Sequence, residues 1–441
     1  MNNNNYLPPE IIEYSEYMRE LYPEVFKNSI NTIKTITFQV TEDCCLNCSY
    51  CYQVHNNNSD MDFNAIKIFL DKLFNEEYPS ITTENTKGII WEFIGGEPFI
   101  KIDLMFQITD YIYEKMLLLN HPWALYSRIS LSSNGILYFD EKVQSYIKKY
   151  DNLLSIGISI DGHKELHDAC RVDLNGKGSF DRVIKAIRHY KKQYDRMPNI
   201  KMTFSPENIS QLFQAYTFLI DEGYTGLMGN CVFEEGWTEK DATIFYYQLK
   251  QLADFLIDNN LYDKINISFF SEYNFVPMGE NDNDNWCGGT SCAMLAVNHK
   301  GELYHCIRYM ESSLQGDQKP LIIGTIEDGI AVREEDKKNF EHTTNITRRS
   351  QSTDECFYCP IAKGCSWCSA YNYQVHGTVN KRATFICIMH KARALANIYF
   401  WNKLYNKIGI DKIFKNYLPD EESLKIISKT ELDIIKSLER R

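Results

Sequence analysis

Short apolar runs alternate with longer stretches of helical periodicity over the first 260 residues. The runs are rich in β-branched and aromatic residues, as buried strands are, and lie at 36–40, 88–94, 128–133, 153–160, 199–204 and 225–233. Apolar residues at helical spacing fill the stretches near 62–77, 102–119, 140–149, 179–194, 208–222 and 239–258. Six strand-then-helix units in succession predict parallel strands with right-handed crossovers. Because a closed barrel of this type has eight units, the pattern predicts an α/β fold built on a partial, TIM-like (β/α)₆ barrel.

The alternation ends near residue 260, and the remaining sequence has a different character. Asn- and Asp-rich sequence at 279–286 predicts a boundary loop. Apolar residues at helical spacing predict helices at 382–405 and 421–441. We therefore expect four segments: a lead-in with a short helix between 11 and 26 (1–35), the barrel (36–260), a small cysteine-rich domain (280–390) and a C-terminal helical segment (391–441).

Composition and charge exclude two broad classes of protein. The chain has 441 residues, 44% of them apolar, with 47 Lys and Arg against 59 Asp and Glu, a formal net charge of −12. No dense basic stripe is present, which argues against a nucleic-acid partner. No apolar run reaches the roughly 18 residues of a membrane span, and the N-terminal sequence lacks the regions of a signal peptide. The sequence thus predicts a cytoplasmic protein with no membrane partner.

The fourteen cysteines change the picture, because the cytoplasm keeps thiols reduced and favours metal ligation or catalysis over disulfides. They form three groups, at 44–51, 287–306 and 356–387, with only Cys170 and Cys231 outside them. Both outliers are interpreted as small packing residues. Cys231 lies near a predicted strand end, so a role in a pocket stays open for it.

The first cysteine group directly follows the first predicted strand. Cys44, Cys48 and Cys51 are spaced so that their sulfurs can converge on one soft metal centre. A [4Fe–4S] cluster normally takes four thiolates, so three leave one iron open to another ligand. Cys45, between them, is interpreted as a packing residue.

Turns after the next strands carry further candidate chemistry. Gly-Gly-Glu-Pro at 95–98 follows the second strand, Ser-Ser-Asn-Gly at 132–135 the third, and Ser159 ends the fourth. Strand ends of this kind meet at one edge of a parallel sheet, where ligands bind. Glycines allow close backbone approach. Glu97 can accept hydrogen bonds from an ammonium, and Arg171 can clamp a carboxylate.

The cysteine loop, with Tyr50 before its last cysteine, and the 95–98 turn together resemble the radical SAM enzymes over residues 36 to about 235. The resemblance implies that the methionyl amine and carboxylate of S-adenosylmethionine (SAM) chelate the open iron. It also implies reductive cleavage of SAM to a 5′-deoxyadenosyl radical, with the cofactors carrying the difficult chemistry. Cys44, Cys48 and Cys51 are then both cluster ligands and catalytic residues.

The same resemblance assigns the SAM contacts. Tyr50 and Val232 would line the adenine, the Gly95 backbone would bind the amine, and Ser159 and Arg171 would meet the ribose and carboxylate. The full expected site consists of Tyr50, Gly95, Gly96, Glu97, Pro98, Asn134, Ser159, Arg171 and Val232.

The later cysteines resemble the SPASM domain, a module that holds two auxiliary [4Fe–4S] clusters, making three clusters in all. The resemblance implies two ligand sets, Cys287, Cys292, Cys306 and Cys368 for the first and Cys356, Cys359, Cys365 and Cys387 for the second. One departure is the gap of two residues between Cys365 and Cys368, where the family usually has three. Taken without the rest of the chain, such pairs could equally form a zinc knot.

SPASM-bearing enzymes modify proteins and peptides, and two details bear on the substrate. The Asp that acts as base in sulfatase-maturating enzymes is missing, because Ile307 and Arg308 follow Cys306. Sequence at 365–373 and 386–392 is similar to maturases of ribosomally made peptides, including those of Cys-repeat precursors. We therefore expect a precursor peptide as substrate, a flavodoxin or ferredoxin-type electron donor, and a thioether from a Cys sulfur to a carbon.

Alternatives remain open at this point. They are sulfatase-maturase-like oxidation, carbon–carbon cross-linking, epimerisation, or a non-enzymatic zinc or electron-transfer scaffold. Many peptide maturases begin with a winged-helix leader-binding domain, for which the 43 residues before Cys44 are too few. Leader recognition is then expected to use another surface or a separate protein. Glu92, a charge in an apolar strand, is expected to be paired or functional.

Overall fold

The structure is a computed structural model that describes residues 33–55, 59–234, 236–272, 275–281 and 287–439. The helix expected between 11 and 26 and the last five residues of the expected boundary loop, 282–286, lie outside the described residues.

The predicted strands and helices of the barrel are confirmed, with ends that differ by a few residues. The strands are β1 Ile33–Thr41, β2 Gly88–Gly95, β3 Ser127–Ser133, β4 Leu154–Ser159, β5 Asn199–Phe204, β6 Gly226–Leu227, β7 Gly229–Cys231 and β8 Asn266–Ile267. The helices that follow them are α1 Phe63–Phe74, α2 Ile102–Leu118, α3 Glu141–Lys149, α4 Lys164–Cys170, α5 Phe180–Tyr194, α6 Leu212–Asp221 and α7 Glu239–Asp258. Two details differ from the sequence prediction: the sixth strand is split into β6 and β7, and the short helix α4 precedes α5.

The second half of the chain adds four short strands and seven helices to the described structure. The strands are β9 Met294–Val297, β10 Glu302–Tyr304, β11 Gly324–Thr325 and β12 Gly329–Ile330. The helices are α8 Glu334–Thr344, α9 Arg348–Gln351, α10 Asp354–Phe357, α11 Ser369–His376, α12 Cys387–Ile408, α13 Asp420–Ser423 and α14 Lys429–Leu438. The helix predicted at 421–441 is therefore two helices, α13 and α14.

One ten-stranded sheet connects the two halves. Its order is β12-β11-β10-β9-β1-β2-β3-β4-β5-β7, and β1 to β5 and β7 pair in parallel. β9 pairs in parallel with β1, with Thr35 opposite Met294. The cysteine-rich segment expected at 280–390 therefore extends the barrel's sheet directly.

Strand β2 shows why the two faces of the sheet differ in polarity. In β2, Trp91 and Phe93 are fully buried, and Trp91 lies 6.2 Å from the ring of Phe74 in α1. Side chains alternate across a strand, so Glu92 points the other way and accepts a hydrogen bond from Thr37 Oγ1 at 2.6 Å. Glu92 therefore has a hydrogen-bond partner, which agrees with the first of the two expectations for it, that it is paired or functional.

Helix α12 forms the wall opposite the strand ends. It packs along α7, where the Tyr399 hydroxyl donates to Asp254 at 2.7 Å and Lys403 lies 2.6 Å from the same carboxylate. Within the described residues, no helix is both long and apolar enough to cross a membrane. The cytoplasmic location stays a prediction.

Candidate active site

A cavity of about 660 Å³ opens at the carboxyl ends of the parallel strands, between them and α12. Its wall includes ten of the residues expected from the sequence: Cys44, Cys48, Tyr50, Cys51, Gly95, Gly96, Asn134, Ser159, Arg171 and Val232. Glu97, Pro98 and Cys45 are not on the wall.

Backbone hydrogen bonds hold the cysteine loop against the segment that carries Arg171. Asn47 N donates to Val172 O at 2.8 Å, and Ser49 N donates to Cys170 O at 3.0 Å. The loop after β1 and the segment after β4 are thereby fixed to each other over the sheet edge.

The three thiols of the loop face the cavity with few protein partners. Cys44 Sγ accepts from Leu46 N at 3.5 Å, and Cys51 Sγ lies 3.7 Å from His55 Nε2. Burial raises the pKa of Cys48 to about 11. None of the fourteen cysteines forms a disulfide. Three free thiols on one short loop fit the donor set of an iron–sulfur cluster with an open iron.

The two glycines of the 95–98 turn are required by its contact with the cysteine loop. A Cβ on Gly96 would lie 2.2 Å from Asp43 O, and one on Gly95 would lie 2.4 Å from Thr41 O. The turn also donates from Gly96 N to Thr41 O at 3.1 Å. A side chain at either glycine would push the turn away from the cluster loop.

Glu97 lies beneath the turn, which differs from the expectation that it faces an amine. It is fully buried, and its carboxylate accepts from Asn134 N at 2.7 Å, Ser133 Oγ at 2.8 Å and Phe99 N at 3.2 Å. Burial raises the pKa of Glu97 to about 7. Glu97 therefore ties the turn after β2 to the turn after β3, and Ser133 and Asn134 are the members of this network that line the cavity.

Asp161 organises the opposite wall, a role that the sequence did not assign. Its carboxylate accepts from Arg171 Nε at 2.8 Å and Nη2 at 3.2 Å, and from Thr203 N at 3.0 Å. The Tyr50 hydroxyl also donates to it. Arg171 is thus held by a buried carboxylate and keeps Nη1 outside that pair.

The four cysteines expected to hold the second auxiliary cluster lie near one another in the fold. Burial raises the pKa of Cys365, and the nearby thiols of Cys387, Cys356 and Cys359 raise it further. In the first set, burial raises the pKa of Cys306, and the nearby thiols of Cys368 and Cys287 raise it further. Cys292 instead neighbours Lys34, which opposes the rise that burial gives its pKa.

Across the described ranges, no three His, Cys, Asp or Glu side chains are placed to hold one metal ion. Fe–S clusters are held by cysteine thiolates on different irons, so their ligands need not meet at one point. The donor chemistry of the second set, four neighbouring thiols, fits such a group.

Sequence reasoning missed three charged residues on the cavity wall, Lys201, Glu234 and Arg308. Arg308 lies over the ring of Tyr52 at 3.9 Å, and its Nη1 and Nη2 donate to Glu234 Oε1 at 3.1 and 3.2 Å. A signal for Lys201 existed, because Asn199, Lys201 and Thr203 alternate with apolar residues in β5. No local sequence signal brings Glu234 and Arg308 together.

Helix α12 contributes two more unforeseen residues, His390 and Arg393. Arg393 donates to the carbonyl oxygens of Phe269 at 2.8 Å and Ser268 at 2.5 Å. Burial lowers the pKa of Arg393 to about 10 and that of His390 to about 4.

Comparison with known proteins agrees with this geometry. The radical SAM superfamily matches residues 38–219. An uncharacterized protein of Methanocaldococcus jannaschii is 31% identical over 44% of this chain, which spans 61% of that relative's length. A cysteine-type anaerobic sulfatase-maturating enzyme of Clostridium perfringens is 25% identical over 73% of this chain and 85% of its own. The subtilosin biosynthesis protein AlbA of Bacillus subtilis is 27% identical over 34% of this chain and 29% of its own.

A solved structure shares the fold. The native anSMEcpe structure with bound AdoMet aligns with a TM-score of 0.62 and 20% identity, covering 86% of this chain and 99% of that one. The superfamily implies SAM and a [4Fe–4S] cluster as cofactors. Residues 38–219 of this chain therefore form a radical SAM domain, whose cysteine loop, glycine turn and parallel barrel edge surround one cavity.

Proposed function

We propose that the protein is a radical SAM peptide maturase that forms a thioether between a Cys sulfur and a carbon of a ribosomally made precursor peptide. The observation that carries the proposal is one shared cavity. The loop of Cys44, Cys48 and Cys51 lines this cavity, and Arg308, two residues after Cys306, lines it as well. A substrate in this cavity would contact the SAM site and the auxiliary-cysteine region at once.

Cys44, Cys48 and Cys51 would hold the catalytic [4Fe–4S] cluster, and SAM would fill its open coordination position. When bound, SAM supplies the radical that removes hydrogen from the substrate. Gly95 and Gly96 let the turn lie against the cysteine loop, and from there its backbone would approach the amine end of SAM. Ser159 would meet the ribose, and Nη1 of Arg171 would meet the carboxylate.

Tyr50 and Val232 would border the adenine. The Tyr50 hydroxyl is fixed by Asp161, which orients the ring on the cavity wall. Val232 is held through a hydrogen bond from its own N to Phe204 O at 2.9 Å. Both contacts keep the two side chains in place before any ligand binds.

Eight further cysteines would hold two auxiliary clusters in the sets expected from the sequence. The grouping of Cys356, Cys359, Cys365 and Cys387 supports the second set. The neighbourhood of Cys306, Cys287 and Cys368 supports three members of the first. Iron and zinc analysis decides between clusters and a zinc scaffold, because three four-iron clusters require about twelve irons per chain.

The names of two similar proteins support a peptide or protein substrate. The Clostridium perfringens relative is named for maturation of sulfatases, and AlbA for biosynthesis of a bacteriocin. Sulfatase-type oxidation is the second candidate, because it is the activity in that first name. Arg308 stands two residues after Cys306, and no Asp follows Cys306 at 307–309, which favours thioether formation over that oxidation. A flavodoxin or ferredoxin-type protein would supply the electron.

The test is anaerobic incubation with SAM, a reductant and a candidate precursor, a short Cys-rich peptide sought among the open reading frames that neighbour this gene. Thioether formation removes two hydrogens from the peptide and consumes one thiol that iodoacetamide would otherwise alkylate. An unchanged mass with deuterium uptake from D₂O would favour epimerisation. A new carbonyl would favour oxidation, with loss of two hydrogens at a Ser and, at a Cys, with replacement of the sulfur by oxygen from water as well. Cys306→Ala should spare SAM cleavage without peptide and stop product formation, while Cys45→Ala, off the cavity wall and outside the proposed ligand sets, is the matched control.

A further inference from the structure

Lys201 is a lysine of the cavity wall with no assigned role. It lies on β5 directly opposite Ser159 in the parallel pairing, and its side chain faces the cavity. Its ammonium has no hydrogen bond within 3.5 Å and no ion pair within 4.0 Å to any described residue. The side chain is open to the solvent of the cavity, and a cleft lined by charges of one sign favours ions of the opposite sign, so the cavity favours an anion at this position.

The charges around Lys201 increase that preference. Burial lowers the pKa of Lys201, and the guanidinium groups of Arg171 and Arg308 lower it further. Glu92 opposes this effect from a distance, and its carboxylate accepts from Thr37. Lys201 is therefore flanked by two like charges and has one distant counter-charge.

The other cations of the cavity wall have closer partners. Arg171 is paired with Asp161, Arg308 with Glu234, and Arg393 donates to two backbone carbonyl oxygens. Lys201, in contrast, has no such partner among the described residues. The positive charge is local, because the chain as a whole carries a net charge of −12.

The position of Lys201 indicates which molecule supplies the anion. Ser159 and Arg171, which would contact SAM, lie near Lys201, and so does Arg308, which is two residues from Cys306. A peptide held between the SAM site and the auxiliary cysteines would pass this point.

We propose that Lys201, flanked by Arg308, binds the carboxylate of an aspartate or glutamate side chain next to the peptide residue that is modified. The inference deepens the proposed function and rests on it. SAM also carries a carboxylate, so a test must distinguish the two sources.

The experiment measures the rate at which an amine-reactive reagent labels Lys201 in the cluster-loaded enzyme, read by mass spectrometry of proteolytic fragments. The probes are N-acetyl-glutamate amide and the neutral N-acetyl-glutamine amide, each with and without saturating SAM. Lys192, an exposed lysine of α5, is the internal control. Labelling needs no turnover, so a failure to modify any peptide would count against the proposed function and leave this result readable.

At saturation, the glutamate probe should slow labelling of Lys201 about tenfold. A charge-assisted hydrogen bond of about 1.5 kcal/mol would favour the unreactive ammonium form by that factor. The glutamine probe should have little effect, and Lys192 should not respond. The glutamate effect should persist with SAM present. Protection by SAM alone that removes the response to glutamate would overturn the proposal in favour of the cofactor's carboxylate. Equal effects of the two probes, or none from either, would also overturn it.

Discussion

Asp161 accepts hydrogen bonds from both Nε and Nη2 of Arg171, at 2.8 and 3.2 Å, and the Asp161 side chain is fully buried. Tyr50 and the backbone of Thr203 donate to the same carboxylate. One buried carboxylate thereby connects the cysteine loop, the segment after β4 and strand β5. The wall proposed to receive SAM is built before SAM arrives.

Asp161→Asn should destabilise the fold by about 3–5 kcal/mol, because it leaves a buried guanidinium without its counter-charge. It should also weaken SAM binding, because Tyr50 and Arg171 lose their common anchor. Urea unfolding measures the first effect, and equilibrium dialysis with labelled SAM under anaerobic conditions measures the second. Asp433→Asn makes the same chemical change at an exposed ion pair with Lys429 and should cost less than about 1 kcal/mol. Equal costs for the two variants would contradict a special role for Asp161.

Gly96→Ala adds only one methyl group, yet it should impair SAM binding. The new Cβ would lie 2.2 Å from Asp43 O, so the turn must move away from the cysteine loop. Overpacking of this kind costs about 1–3 kcal/mol. Gly226→Ala is the matched control, because nothing lies within 4 Å of a Cβ there. SAM affinity should fall in the first variant only, and an unchanged affinity in both would refute the role assigned to the turn.

Glu97→Gln should lower the free energy of unfolding by about 1–3 kcal/mol, because an amide NH₂ would face groups that now donate to the carboxylate. Those donors are Ser133 Oγ and Phe99 N on one oxygen and Asn134 N on the other. Thermal or urea unfolding of the two proteins under identical anaerobic conditions measures the difference. An unaltered stability would show that these bonds do not hold the two turns together.

Much of the barrel follows from the sequence, because each strand and helix carries its own local pattern. The apolar alternation of β2 and the helical spacing of α5 are properties of a few consecutive residues. The split between β6 and β7 was missed because a single apolar stretch does not reveal a break in its pairing. The pairing of β9 with β1 joins segments about 260 residues apart, for which no local pattern exists.

The residues of the cavity wall also differ in whether a local sequence pattern reveals them. The spacing of Cys44, Cys48 and Cys51 and the adjacent glycines of the 95–98 turn are visible in the sequence. The orientation of Glu97 is not, because it depends on donors from the turn after β3. The pair of Glu234 and Arg308 was missed for the same reason, since its members are far apart in the chain.

Stability should fall in mild acid in part because of His121, which is buried against Phe74 and Trp123. Burial lowers the pKa of His121 to about 4, below the value of about 6.5 for an unfolded chain. The group has no effect above pH 6.5, where it is neutral in both states. Between pH 6.5 and 4 the unfolded chain binds the proton first, so the unfolding free energy falls by about 1.4 kcal/mol per pH unit.

His121→Asn removes this titration and keeps a side-chain acceptor for Trp123 N. The variant should therefore lose about 2 kcal/mol less than the wild type between pH 7 and pH 5. Urea unfolding at the two pH values gives the comparison, and the other buried histidines cancel in the difference. An identical pH dependence in both proteins would rule out His121 as a contributor.

The most direct test of the whole account is the formation of 5′-deoxyadenosine from SAM by the anaerobically reconstituted protein with a strong reductant. The wild type should form it, and Cys48→Ala should not, while the variant retains the iron of the two auxiliary clusters, about eight per chain. Cys45→Ala, a change at the neighbouring cysteine that lies off the cavity wall, should leave the activity in place. Continued 5′-deoxyadenosine formation by Cys48→Ala, or its absence in the wild type, would contradict the account.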